Sequence, residues 1–217
     1  MPSSHFGQLN EIVELIKLSK PKSVLDIGVG FGKYGVLARE YLELWDEGKK
    51  YNDREIRIDG IEAFEKYITP LHDFIYDNIY KGDALDVLPK LEHKYDLILI
   101  IDVLEHFSYE DGMKLLKLCK EKGKNILISI PKEIGYQGAI FENKFEEHKF
   151  QFEKKHFVGF GDIAFIPNEA SNICLLGEKA PLVRKYVRKK KKRDLKQALR
   201  SRFPFLVYPY RLIKKII

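Results

Sequence analysis

The chain has 217 residues, 45% of them hydrophobic, with a net charge of +6 and two cysteines. This length suits one α/β domain with a sizeable core and is too short for two full domains. No stretch reaches the roughly 18 apolar residues of a membrane span, and the N-terminus lacks the pattern of a signal peptide. Cys119 and Cys174 form neither a disulfide framework nor a metal-ligand spacing. We therefore expect a cytoplasmic protein.

Apolar residues at helical spacing open the chain. Leu9, Ile12, Val13 and Ile16 share one helical face, and Pro21 ends the segment. We expect this helix to pack beside the first strand and to cover the entrance of the site that the following residues form.

The stretch SVLDIGVGFG, residues 23–32, organises the rest of the chain. Its apolar run predicts a buried strand, and the three glycines at alternate positions predict a tight turn that brings backbone close to a ligand. Residues 34–47 then predict a helix, whose N-terminus favours an anionic group. A dinucleotide site is disfavoured, because the sixth position counted from Gly28 is Lys33 and the next candidate acid, Glu62, lies 34 positions after Gly28.

Further strands and helices alternate along the chain. Strands are predicted at 56–61, 79–81, 95–101 and 125–130, with helices at 65–78, 85–91 and 108–122 between them. Two last strands, 156–166 and 171–177, are joined by a short turn and are therefore antiparallel. The pattern predicts a doubly wound, mostly parallel α/β sheet with helices on both faces.

An acid follows each of the first four predicted strands. These residues are Asp26, Glu62, Asp83 and Asp102. Because ligands of open α/β sheets lie outside the carboxyl ends of the strands, we expect the four acids to converge on one crevice.

The segments VLDIGVGFG, GIEAF, GDAL and IIDVLEHF resemble, in this order, four motifs of the class I S-adenosylmethionine-dependent methyltransferases, over residues 20–178. The resemblance implies a Rossmann-like sheet of seven strands with a reversed last strand, and S-adenosylmethionine (SAM) as cofactor. In that family Glu62 would accept both ribose hydroxyls, Asp83 would accept from the adenine amine beside Ala84, and Asp102 would lie near the methionine end. Asp26 would orient the glycine turn or receive the cofactor's ammonium group. The cofactor-binding residues are then Asp26, Gly28, Gly30, Gly32, Glu62, Ala63, Asp83, Ala84 and Asp102.

The long segment 131–155 is similar to the acceptor loop of a subset of these enzymes that methylate small molecules, lipids or glycans. Glu133, Tyr136 and Asn143 are predicted to contact the acceptor. His106 and His148 are the candidate general bases, because imidazole titrates near neutrality, and the competing interpretation is that each only anchors its loop. The linear spacing of Glu105, His106, Glu133 and His148 matches no metal template, so we expect no metal site.

The chain ends in a basic tail. Residues 179–217 hold fifteen Lys or Arg and one acid, Asp194, so they carry +14 and leave −8 on the remainder of the +6 chain. We expect a catalytic domain at 1–178 and an amphipathic tail at 179–217, cut into short helical pieces by Pro204 and Pro209. Apolar and basic residues interleave in it, which favours an anionic membrane surface over a nucleic-acid arm or a site for a protein partner.

The sequence thus predicts a SAM-dependent methyltransferase that acts on a small-molecule, lipid-linked or glycan acceptor, held peripherally at the inner membrane face. The alternatives are an RNA or protein methyltransferase that collects its substrate with the tail, and a non-catalytic cofactor-binding module.

Overall fold

The structure, a computed structural model, describes residues 4–44 and 54–202. Its strands are β1 (Ser23–Ile27), β2 (Arg57–Glu62), β3 (Asn78–Lys81), β4 (Leu97–Ile101), β5 (Asn125–Pro131), β6 (Ile163–Ile166) and β7 (Ser171–Gly177). Its α-helices are α1 (Leu9–Ser19), α2 (Lys33–Arg39), α3 (Pro70–Ile75), α4 (Ala84–Val87), α5 (Tyr109–Lys122) and α6 (Ala180–Arg202).

The seven strands form one sheet in the order β3-β2-β1-β4-β5-β7-β6. Neighbours from β3 to β5 are parallel, and β7 runs antiparallel to both β5 and β6. Six strands therefore share one direction and β7 is reversed, which confirms the predicted fold class. All five residues of β4 are buried, as expected for a central strand that is covered on both faces.

Hydrophobic clusters cover both faces of the sheet. On one face Ile12 and Ile16 of α1 and Val183 of α6 pack against the strands. On the other face Leu115 and Leu116 of α5 do the same. With both faces covered, the carboxyl ends of the parallel strands are left as the edge where a ligand can enter.

The second predicted helix is much shorter than expected. The sequence predicts it over 65–78, but only Pro70–Ile75 is α-helical, after a 3₁₀ turn at Glu65–Tyr67. Proline has no N–H and is tolerated only in the first turn, so the helix starts at Pro70, where Thr69 and His72 form a capping box.

Two other boundaries differ. The helix predicted at 34–47 is α-helical to Arg39 and then widens into a π-helical turn at Glu40–Leu44, and residues 45–47 lie outside the described part. The strand predicted at 156–166 begins only at Ile163, because Gly159 and Gly161 adopt positive φ angles of 98° and 103° that no strand accommodates.

The tail is more regular than predicted up to Arg202. Instead of short pieces, α6 runs for 23 residues, and its Pro181 lies in the first turn, where it does not break the helix. Ala180 and Val183 are fully buried, and the Lys190 ammonium lies 2.6 Å from the Glu14 carboxylate of α1. From residue 191 to 202 every side chain is exposed. The division into 1–178 and 179–217 stays a prediction, and Pro204 and Pro209 lie outside the described residues.

None of the helices in the described part of the chain combines the length and apolarity that crossing a membrane requires.

Candidate active site at the carboxyl ends of the strands

The glycine turn after β1 is built from left-handed backbone. Gly28, Gly30 and Gly32 have φ angles of 74°, 50° and 78°. A Cβ on Gly28 would lie 2.6 Å from Cγ2 of Val103, so the close approach of the β1 and β4 loops excludes larger residues. Gly28 and Gly30 line a cavity of about 350 Å³ at the carboxyl ends of the strands. Gly32 does not line it and instead starts α2.

Glu62 ends β2 and lies in this cavity with both oxygens tied to the turn. Its Oε2 accepts from the Gly30 N–H at 3.0 Å and its Oε1 accepts from the Phe64 N–H at 2.8 Å. The side chain is 5% exposed, and burial raises the pKa of Glu62 against those two hydrogen bonds. Since a carboxylate oxygen can accept more than one hydrogen bond, each oxygen keeps capacity for a ligand hydroxyl.

Asp83, Ala63 and Ala84 line the same cavity. Asp83 caps α4 by accepting the Leu85 N–H at 2.9 Å through Oδ1. Ala63 and Ala84 line the wall beside it. Asp83 is therefore oriented by its hydrogen bond to the first turn of α4, and its second carboxylate oxygen is left to accept from a ligand.

Asp26 lies beneath the turn and does not line the cavity. Its Oδ2 accepts from the Tyr76 hydroxyl at 2.7 Å. Burial raises the pKa of Asp26 to about 7, although the Tyr76 hydrogen bond opposes this shift. Of the two roles that the resemblance implies for Asp26, this position suits orientation of the turn, and it does not suit direct contact with a ligand.

Asp102, at the end of β4, faces the cavity in a strained backbone conformation, with a φ of 52°. Its Oδ2 accepts from Gln8 Nε2 at 2.6 Å, and its Oδ1 is buried without a partner among the described residues. Burial raises the pKa of this carboxyl. A buried carboxylate oxygen without a partner favours a donor or a cation close to this side chain.

Three further side chains meet in the same cavity. Glu105 and His106 lie in a 3₁₀ turn after β4, and His148 comes from the loop after β5. One ligand atom from each lies within 4.8 Å of the others. Burial raises the pKa of Glu105 well above its ordinary range and lowers the pKa of His106. We call these three residues the acceptor-side triad.

The acceptor loop only partly matches its prediction. Asn143 is 2% exposed and lines the cavity, where it also caps a 3₁₀ turn by accepting the Phe145 N–H at 2.9 Å. Glu133 and Tyr136 are exposed and do not line the cavity, and Tyr136 is fully exposed. Both side chains are turned toward solvent, outside the cavity, and their contact with an acceptor stays a prediction.

The sequence did not predict several residues at the site. Ser4 and His5 line the cavity mouth, where the Lys33 ammonium donates to the Ser4 carbonyl at 2.7 Å. His72 Nε2 lies 2.8 Å from the Gly30 carbonyl and steadies the turn. The apolar spacing of α1 predicts this helix, and the structure contains it, but none of its residues lines the cavity. No local motif marks Gln8, just before α1, as the partner of Asp102.

Comparison with known proteins supports the fold assignment. No protein-family model matches the chain. An uncharacterized protein of Methanocaldococcus jannaschii is 22% identical over 170 residues, which is 75% of this chain and 68% of that protein. Among solved structures, PigF with SAH has a TM-score of 0.54 and 14% identity, and the match covers 80% of this chain and 62% of PigF.

A second solved structure agrees. The mitomycin 7-O-methyltransferase MmcR has a TM-score of 0.53 and 14% identity, and the match covers 79% of this chain and 54% of MmcR. The chain thus spans less than two thirds of the length of PigF and of MmcR. The protein therefore has the Rossmann-like fold of the class I SAM-dependent methyltransferases.

Proposed function

We propose that this protein is a methyltransferase that binds SAM in the cavity and delivers its methyl group to a small-molecule acceptor. The observation that carries the proposal is the meeting of Glu62, Asp83 and Asp102 in one cavity over a glycine turn. The solved structures with this fold include one that contains SAH and one named for O-methylation of a small molecule, mitomycin.

The residues present fit the cofactor. Glu62 offers two oxygens, already oriented by the Gly30 and Phe64 amides, to the two ribose hydroxyls. Asp83 offers its uncapped oxygen to the adenine amine. Asp102 lines the cavity and has a buried oxygen without a partner among the described residues, which would favour the cationic methionine part. Bound SAM supplies an electrophilic methyl group on a sulfonium with a good leaving group.

On the acceptor side the chain must position a nucleophile and remove its proton. Asn143, His106 and His148 line the same cavity. Positioning alone contributes on the order of 7–11 kcal/mol to such reactions, and a general base contributes about 10²–10⁴-fold. Because these residues and the proposed cofactor residues line one cavity, the cavity offers space for an acceptor beside SAM. A cofactor-binding module would not need that space, so the cavity favours an enzyme.

We further propose that α6 brings the enzyme to an anionic membrane surface and to a lipid-linked or glycan acceptor there. Arg184, Lys185, Arg188, Lys189 and Lys192 line one face of the helix. Leu195 and Leu199, 61% and 49% exposed, lie toward the C-terminal end of the helix. Each basic residue near an anionic surface contributes about 1 kcal/mol, and the exposed leucines add apolar contact that a phosphate-binding arm does not need.

The first experiment is calorimetric titration of the full chain with SAM and, separately, with NAD. We expect one equivalent of SAM to bind and no heat from NAD. Binding of NAD, or no binding of SAM, would overturn the proposal.

The membrane proposal has its own test. Vesicles that contain phosphatidylglycerol should sediment the protein at low salt, and Arg188→Glu with Lys189→Glu and Lys192→Glu should abolish this while SAM affinity stays unchanged. Equal sedimentation of wild type and variant refutes the membrane role. Salt-sensitive RNA binding without vesicle binding would instead assign the helix to a nucleic-acid substrate.

A further inference from the structure

The acceptor-side triad combines two imidazoles and one carboxylate at a single point of the cavity. Glu105 and His106 are adjacent in the turn after β4, and His148 reaches the same point from the β5 loop. The two histidine rings lie 5.2 Å apart, centroid to centroid. Side chains that are far apart in sequence thus offer three ligand atoms within 4.8 Å of one another.

Backbone carbonyls fix the tautomer of both histidines. Nδ1 of His106 lies 3.1 Å from the Glu147 carbonyl, and Nδ1 of His148 lies 2.7 Å from the Gly135 carbonyl. Because a carbonyl oxygen can only accept, Nδ1 carries the proton in both rings and Nε2 keeps its lone pair. Histidines that bind metals are held in this way, with the other ring nitrogen donating to a carbonyl or carboxylate.

Glu105 supplies an independent observation. Glu105 is only 2% exposed, and its Oε2 has no hydrogen-bond partner among the described residues. A buried carboxylate oxygen without a partner is costly unless a cation or donor meets it. The neighbouring residues Asp102 and Glu146 add negative charge to this end of the cavity, so a cation is the favoured partner.

We propose that Glu105, His106 and His148 bind a divalent first-row transition metal, of the Mn²⁺, Fe²⁺ or Zn²⁺ class, with coordination positions open toward the acceptor. Two imidazoles favour these ions over Mg²⁺ and Ca²⁺, which prefer oxygen ligands alone. Ligand atoms that occupy adjacent positions at about 2.1 Å from one ion lie about 3–3.5 Å apart, so side-chain movements of about one ångström from separations of up to 4.8 Å close the site.

The role of the proposed metal site rests on the proposed methyltransferase function, and the site specifies the class of acceptor for that function. The open positions would hold an oxygen of the acceptor, so the acceptor class is a hydroxyl or phenol compound. The metal acts as a Lewis acid that lowers the pKa of the bound O–H group, whose proton passes to water. In this arrangement His106 and His148 are ligands and positioning residues, and no separate protein base is required.

The test uses untagged full-length protein that has been stripped with chelator and dialysed. Titration with Mn²⁺, followed through the loss of the electron paramagnetic resonance signal of free Mn²⁺, and calorimetry with Zn²⁺ should both give one bound ion per chain. Glu105→Gln and His148→Ala should each weaken binding at least ~30-fold. Glu133→Gln, in the same loop but exposed and outside the cavity, should bind as wild type does.

Calorimetry with SAM on the same samples separates the two proposals. Variants that keep wild-type SAM affinity are folded, and His148→Asn provides a second, milder change if His148→Ala does not fold. Metal binding that needs the triad in a protein without SAM affinity would leave the metal site standing and remove the function. SAM binding with no bound Mn²⁺ or Zn²⁺, or with ions bound equally by all variants, overturns the metal site alone.

Discussion

Replacement of Glu62 tests the cofactor assignment most directly. In Glu62→Ala both carboxylate oxygens disappear, and with them two acceptors for ribose hydroxyls. A hydrogen bond to a charged group is worth about 1.5–3 kcal/mol, so the loss of two predicts about 3–6 kcal/mol. That loss corresponds to roughly 10²–10⁴-fold weaker SAM binding.

A milder change at the same position removes only one acceptor oxygen. Glu62→Gln keeps one carbonyl oxygen and replaces the other with an amide that cannot accept from Gly30 or Phe64. We expect roughly 10-fold to 10²-fold weaker binding. Because the amide leaves one of these two backbone N–H groups without its acceptor, the free energy of unfolding should also fall by about 1–3 kcal/mol. SAM affinity should therefore fall together with a modest decrease in the melting temperature.

The assay is calorimetry with SAM and with SAH on wild type, both Glu62 variants and Glu65→Ala. Glu65 follows three positions later, and its side chain is 64% exposed in an ion pair with Lys81 at 3.3 Å. It is therefore a matched acidic control that should bind normally. If Glu62→Ala binds SAM within about threefold of wild type, the reasoning that assigns the ribose to Glu62 is refuted.

Three further predictions concern the support of the site. Gly28→Ala, with its positive φ and its contact with Val103, should cost about 1–2 kcal/mol and lower the melting temperature by about 3–8 °C, while an unchanged melting curve would contradict the strain. Asp26, whose folded pKa is about 7 against an ordinary 3.8, contributes stability below pH 4 that is lost as pH rises through 7, so wild type should lose up to about 4 kcal/mol relative to Asp26→Asn between pH 4 and 8. Urea unfolding across that range checks this, and parallel pH profiles would refute it. Arg39→Met removes a buried guanidinium that pairs with Glu43 at 3.0 Å and should cost about 3–5 kcal/mol, which the same urea unfolding at pH 7 measures. A loss below about 1 kcal/mol would mean that the pair is unimportant.

The cofactor half of the site was largely predictable because it depends on strand order. Parallel strands bring their carboxyl ends to one edge, so the acids after β2, β3 and β4 had to meet once the strands were identified. The direction in which each side chain points was harder to predict than its position along the chain. Asp26 occupies the expected place, but its side chain turns to Tyr76 beneath the turn, and no pattern within β1 reveals that partner.

The acceptor half was less predictable because it is built by a loop. The residues after Pro131 hold no periodic pattern, so the exposure of Glu133 and Tyr136 depends on backbone turns that the sequence does not specify locally. The same loop brings His148 to His106, and linear spacing hid this contact. The length of α6 follows from a different feature of the sequence. No proline or glycine lies between Leu182 and Arg202, and the helix breakers Pro204 and Pro209 come only after it.

The buried contact of Gln8 has a practical consequence for anyone who shortens this protein. Chain ends are usually trimmed without harm. Here Gln8 donates to Asp102 and accepts from Ser129 while it is completely enclosed. Removal of the first eight residues would take away the donor that Gln8 provides to the Asp102 carboxylate. A truncated protein could therefore lose ligand affinity although the deleted residues lie 94 positions from Asp102 in the sequence.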